Sequence, residues 1–129
     1  RPGIMRRLRQ QLRGLSDACC EDVAQDVPRI ARNVDYIAPL IYPSHCGAGA
    51  FDVPDPESEP KKVIEESLKA FAPLVEGSGA RVVPWLQDFS LRVPYGAKEV
   101  CAQAAAEGVD EWIMWDANVT YTRAGCLKG

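Results

Sequence analysis

Tyr36-Ile37-Ala38-Pro39-Leu40-Ile41-Tyr42-Pro43-Ser44-His45 is an apolar run that ends abruptly in a polar and aromatic cluster. Val82-Val83-Pro84-Trp85-Leu86-Gln87-Asp88-Phe89 and Trp112-Ile113-Met114-Trp115-Asp116-Ala117-Asn118 follow the same plan. A strand that is nearly all apolar is covered on both faces, as in a parallel sheet. In such a sheet the three ends share one rim, and a (β/α) barrel carries its chemistry on that rim.

The segments between these strands read as helices. Lys61 to Val75 places Val63, Ile64, Leu68, Phe71 and Leu74 on one broad face, and Glu76-Gly77-Ser78-Gly79 closes it. Ala97 to Glu107 predicts a short alanine-rich helix ended by Gly108. Asp22 to Arg32 predicts another, with Pro28 marking its first turn. The loop from Ser44 to about Pro60 is long for a βα connection, and such loops are usually functional or mobile. The β-α-β-α-β order argues for right-handed βαβ units and a parallel α/β sheet.

The chain has 129 residues, of which 47% are hydrophobic and 26% charged. A closed eight-stranded barrel needs roughly 250 residues, so a partial (β/α) barrel of about three or four strands is expected. Residues 1–20 read as a basic amphipathic helical extension, with Ile4, Leu8, Leu12 and Leu15 in one stripe and arginines on the other faces. Residues 21–129 read as the partial-barrel domain. An open piece of barrel exposes strand edges and an apolar inner face. Completion by a second copy is therefore expected, as a homodimer or higher homo-oligomer, with the N-terminal stripe as cover or contact.

Net charge is −3, with five arginines and no acid in residues 1–13. The acidic body argues against nucleic acid as a partner. No apolar run approaches the roughly 20 residues that span a bilayer, and no secretory signal is seen, so a cytoplasmic protein with no membrane partner is expected. The five cysteines are irregularly spaced, without a CxxC, and there is one histidine. That leaves a zinc site unsupported, and no cofactor or metal is expected. Reduced thiols are the default reading, with a bridge between chains through Cys19-Cys20 as the alternative.

The three strand motifs, with Asp35 ahead of the first, resemble a bacterial family of glycoside hydrolases that form (β/α)8 barrels distantly similar to the α-amylase class. The resemblance covers roughly residues 22–122 and matches the last three strands, six to eight. The earlier strands are absent from it, including the fourth, whose Asp-bearing motif carries catalytic chemistry in the family. Residue 46, aromatic in the family, is Cys46 here. The resemblance implies a glycosidase rim and a saccharide or other small-molecule substrate.

Glycoside hydrolysis needs two carboxyl groups, about 5–5.5 Å apart for retention or about 6.5–9.5 Å for inversion. Asp88 and Asp116 each end a predicted strand and are the candidates, one as acid and one ionised. The bland alternative is that both hold loops or cap helices. Trp85 and Trp115 offer flat faces to sugar rings, or else belong to the core. His45 has the only side chain with an ordinary pKa near neutrality, and binds substrate, shuttles a proton or is structural. Cys46 is a nucleophile only if a base lies within reach. Tyr42, Ser44, Gln87 and Asn118 complete the predicted substrate-binding set with the two tryptophans. Two other readings stand beside glycosidase activity. One is an ester or phosphoester hydrolase using His45 and Cys46, or a metal at Asp88 and Asp116. The other is a non-catalytic, self-associating piece of a barrel.

Overall fold

A computed structural model describes residues 26–121 and Cys126. The expectations for residues 1–20, including the Ile4/Leu8/Leu12/Leu15 stripe and Cys19-Cys20, lie outside the described residues. Helix α1 (Val27–Ala31) opens the described chain. It is followed by β1 (Tyr36–Ile37), β2 (Leu40–Ile41), α2 (Pro60–Val75), β3 (Arg81–Val82), β4 (Trp85–Gln87), α3 (Ala97–Ala104) and β5 (Ile113–Trp115). All strand pairs are parallel. The described residues are therefore α/β, as the alternation of strands and helices predicts.

The first two of the three predicted strands are each split by a proline, yet run on through the break. Tyr36 faces Arg81 and Leu40 faces Trp85, so one register holds throughout. That register sets Pro39 opposite Pro84, where neither residue has an N–H to give the ladder. Their carbonyls still accept, Pro39 O from Trp85 N and Pro84 O from Ile113 N, both at 2.9 Å. With β5 beside β4, the sheet order is β2-β4-β5, and β1 pairs with β3 along the same register.

Alternation along these strands divides the sheet into two unlike faces. Ile41 and Leu86 are fully buried and, with Met114, face a core containing Val63 and Ile64 of α2 and Ala106. The buried positions of α2 (Val63, Ile64, Ser67, Phe71 and Leu74) follow the helical repeat. Phe71 and Leu74 form a smaller cluster with Val27 and Val82. The other face carries Leu40, Trp85 and Ile113 in one row, with Trp115 one pleat further on. Leu40 is 58% exposed and Trp115 44%. At the far end of that face Arg81 stacks on Tyr36 and pairs with Glu111.

Helix α1 is shorter than the expected span and starts where proline chemistry dictates. The Asp26 carboxylate caps it by accepting from Arg29 N, and Pro28 sits in the first turn. Helix α3 stops at Ala104, before the predicted Glu107, and Gly108 then takes a left-handed φ of 88°. No helix among the described residues is long and apolar enough to cross a membrane.

The cysteines overturn the reading of reduced thiols. Cys101 of α3 is bonded to Cys126, with 5.2 Å between Cα atoms. Cys46 is also disulfide-bonded. Cys101 and Cys126 lie 25 residues apart in sequence, a pairing that no local spacing reveals.

Candidate active site

The ends of β2, β4 and β5 meet at one edge of the sheet. Beyond β2, Pro43–His45 forms a single 3-10 turn begun by proline. This turn is held from two sides. Gln87, at the end of β4, accepts from Ser44 N at 3.0 Å and donates to Ser44 Oγ and, at 2.8 Å, to Phe89 O. Its backbone is gripped in turn by Gln103 of α3, which accepts from Gln87 N and donates to Gln87 O. Both glutamines are fully buried, and this closed network satisfies the donors and acceptors that burial would otherwise penalise. From the other side the Arg92 guanidinium donates to Ser44 O at 2.7 Å, and to the Glu57 carboxylate at 2.9 Å.

His45 projects from this turn and is exposed. Its ring meets the edge of Tyr42 at 5.4 Å and lies 6.0 Å from Phe89, while Tyr42 and Phe89 pack edge to face at 5.3 Å. Tyr42 is buried beneath, and burial pushes its hydroxyl up to about 12, so the phenol stays neutral at ordinary pH. Trp85 and Trp115 stand edge to face at 6.2 Å on the open side of the sheet. The structure thus brings His45, Tyr42 and Phe89 together at one strand end, and the two tryptophans together on adjacent strands.

The two aspartates occupy neighbouring positions on adjacent strands. Gln87 faces Trp115, and the Asp88 N–H extends the ladder to Trp115 O at 2.9 Å. Both are buried, at 3% and 4% exposure, and both share the alternation of Leu86 and Met114 rather than that of the open face. The Asp116 carboxylate accepts from Asn118 N, Thr120 N and Thr120 Oγ1. It therefore organises the turn after β5, the loop-holding role open in the sequence. Within that turn Val119 adopts a φ of 58°, an uncommon conformation for a β-branched residue. Asn118 is exposed, and its backbone is one of the groups Asp116 holds.

Cys46 is corrected by its disulfide. A sulfur bonded to sulfur has no thiolate, so the expected nucleophile is not available in this state. Ser44 is 2% exposed and committed to Gln87. It supports the turn rather than meeting a ligand directly. No group of three His, Cys, Asp or Glu side chains among the described residues is placed to hold a metal ion.

Sequence reasoning passed over Arg92, Glu57, Phe89 and Gln103. Their roles depend on pairings 35 to 48 residues apart for Arg92 and 16 for Gln103. The one local signal was Phe89, which closes the quoted motif beside Asp88.

A family model described as "Putative glycosyl hydrolase domain" matches residues 14–121. No curated protein and no solved structure matches the chain.

Proposed function

The chain belongs to this glycosyl hydrolase-like family, and from that premise we propose that it acts on glycosides at the rim formed by the ends of β2, β4 and β5. The observation that carries the reading is the register. It sets Gln87-Asp88 beside Trp115-Asp116, next to the strand that ends in Tyr42 and His45. Trp115 and Trp85 present apolar faces suited to a sugar ring. His45 offers an exposed imidazole at the neighbouring strand end. Asp88 and Asp116 supply the paired carboxyl groups, on strands about 4.8 Å apart; both are buried on the helix-covered side, so in this reading a glycoside reaches them past the strand ends and not from the open face.

In this reading the sheet is one side of a (β/α) barrel, its open face the barrel interior. The exposed Leu40, Ile113 and Trp115, with β2 and β5 both edge strands among the described residues, favour completion by a second copy of the chain. Light scattering at micromolar concentration should give a dimer or larger species, and a clean monomer would count against this part. The disulfides favour an oxidising compartment over the expected cytosol.

A second reading, a non-catalytic self-associating domain, is favoured by the engagement of Asp116 in its own turn. One panel separates the two. Chromogenic glycosides, esters and phosphoesters are tested with wild type, Asp88→Asn, Asp116→Asn and His45→Ala, with and without chelator. Glycosidase activity lost in both aspartate variants supports the first reading. Activity untouched by all three substitutions rules out this site, and no activity on any substrate supports the second.

A further inference from the structure

The geometry points to Arg92 as a positioning residue that fixes His45 at the rim, acting with the buried carboxylate of Glu57. This rests on the reading of His45 as part of the site. Arg92 touches neither the imidazole nor the open face of the sheet in any hydrogen bond. It lies in the connection between β4 and α3 and reaches across to the connection between β2 and α2. There Nη2 donates to Ser44 O at 2.7 Å and to Cys46 O at 3.4 Å, the two carbonyls that flank His45. Nε donates to Glu57 Oε1 at 2.9 Å.

The two ends of this bridge differ in a way that suits a clamp. The Glu57 side chain is 3% exposed, whereas that of Arg92 is 59% exposed. Glu57 sits in another 3-10 turn, Pro56–Ser58, whose proline and glutamate are both buried. It is therefore a fixed anchor, and the guanidinium spans from it to the His45 turn. The planar fork lets one side chain hold a carboxylate and two carbonyls at once. Gln87 secures the same turn through Ser44 N and Oγ, whereas Arg92 holds carbonyls on both sides of the histidine. Arg92 thus joins the two ends of the connection between Cys46 and Glu57, beside the disulfide of Cys46, and His45 is kept against Tyr42 and Phe89.

The single histidine makes the test direct. Its ring proton signals need no assignment against others, and their nuclear Overhauser contacts to Tyr42 and Phe89 report the turn without any substrate. Three variants are compared: Arg92→Ala, Arg92→Lys, and the double Glu57→Met/Arg92→Met. The double variant removes the buried carboxylate along with its partner, so it folds where Arg92→Ala leaves Glu57 unpaired. Near-UV circular dichroism of the tryptophans confirms the fold. We expect the contacts of His45 to be lost in Arg92→Ala and in the double variant, and partly kept in Arg92→Lys. On whichever glycoside wild type turns over, kcat should fall roughly tenfold or more with KM little changed, as for a displaced catalytic group. Undiminished His45 contacts in the folded double variant would overturn the proposal. If no glycoside is turned over, the spectra still decide it. If instead His45→Ala leaves activity intact while the contacts respond as expected, the clamp stands and the role of His45 in catalysis falls.

Discussion

Removing the Cys101–Cys126 bridge should cost a large share of the stability of this domain. The bridge joins α3 to the chain beyond β5 and closes a loop with a sequence separation of 25. Within that loop lie the rest of α3, all of β5 and the turn organised by Asp116. The chain-entropy relation for a loop of that length gives about 3.5 kcal/mol at 25 °C. With a urea slope of about 1.5–2 kcal/mol/M, the midpoint should fall by about 2 M in Cys101→Ser/Cys126→Ser. The double variant is the right comparison because a single one leaves a thiol free to exchange with other cysteines. The slope itself should rise, since an unbridged denatured chain exposes more surface. Equilibrium urea unfolding followed by tryptophan fluorescence measures both. Alkylation without reduction, read by mass, first confirms that the wild-type bridge is closed. A midpoint shift below about 0.5 M with the bridge confirmed would refute the reasoning, because the loop-closure gain would then be absent.

Three further outcomes follow from the packing. Gln87→Leu removes the partners of Ser44 N and Ser44 Oγ inside the protein, and should cost about 3 kcal/mol in urea unfolding; a loss under about 1 kcal/mol would mean that water replaces the network. Val119→Asn should raise stability by about 1 kcal/mol, because asparagine tolerates the left-handed φ of 58° that valine resists; an unchanged melting temperature would show that the turn carries no strain. Raising pH should destabilise the fold through Tyr42, whose hydroxyl is held at about 12 by burial. The native state keeps that proton more tightly than the unfolded chain does, so this contribution is full below about pH 10 and is lost as pH rises through about 12. Tyr42→Phe should make that limb of a pH–stability curve shallower, the remainder coming from Tyr95, whose hydroxyl burial raises further, and an equally steep limb would refute the role of Tyr42.

The strands and helices were legible because they rest on local rules. The helical repeat of Val63, Ile64, Phe71 and Leu74 marks α2, and the apolar runs mark the strands. What local rules missed is the interruption of the strands, although Pro39 and Pro84 were in view; their significance comes from facing each other across one register. The candidate site was legible as a place and less so as a set of roles. His45 and Trp115 stand exposed, as a ligand-facing reading needs. The fates of Cys46, Ser44 and Asp116 turn on partners supplied by the fold. A cysteine's spacing does not reveal its bond, and a strand-end aspartate reads alike whether it faces a substrate or its own turn.

That difference between exposed and engaged groups divides the rim by function. Gln87, Ser44, Gln103 and Arg92 spend their hydrogen bonds on one another, on Glu57 and on backbone, which makes the strand ends rigid. Asp116 does the same for the turn after β5. His45 and Trp115 carry exposed side chains on the framework those networks fix, and Asn118 is held in it by its backbone while its side chain is exposed. Rigid support beneath a few exposed groups is what a binding or catalytic rim requires, because positional error in the reacting groups is costly. Substitutions in the framework should therefore act on stability and kcat together. Those at the exposed groups should act on ligand affinity or chemistry and leave folding nearly unchanged. The open face carrying Leu40, Ile113 and Trp115 fits the same division. It is apolar, exposed and directly below the rim, so substitutions there should act on what binds that face and leave the hydrogen-bonded framework in place.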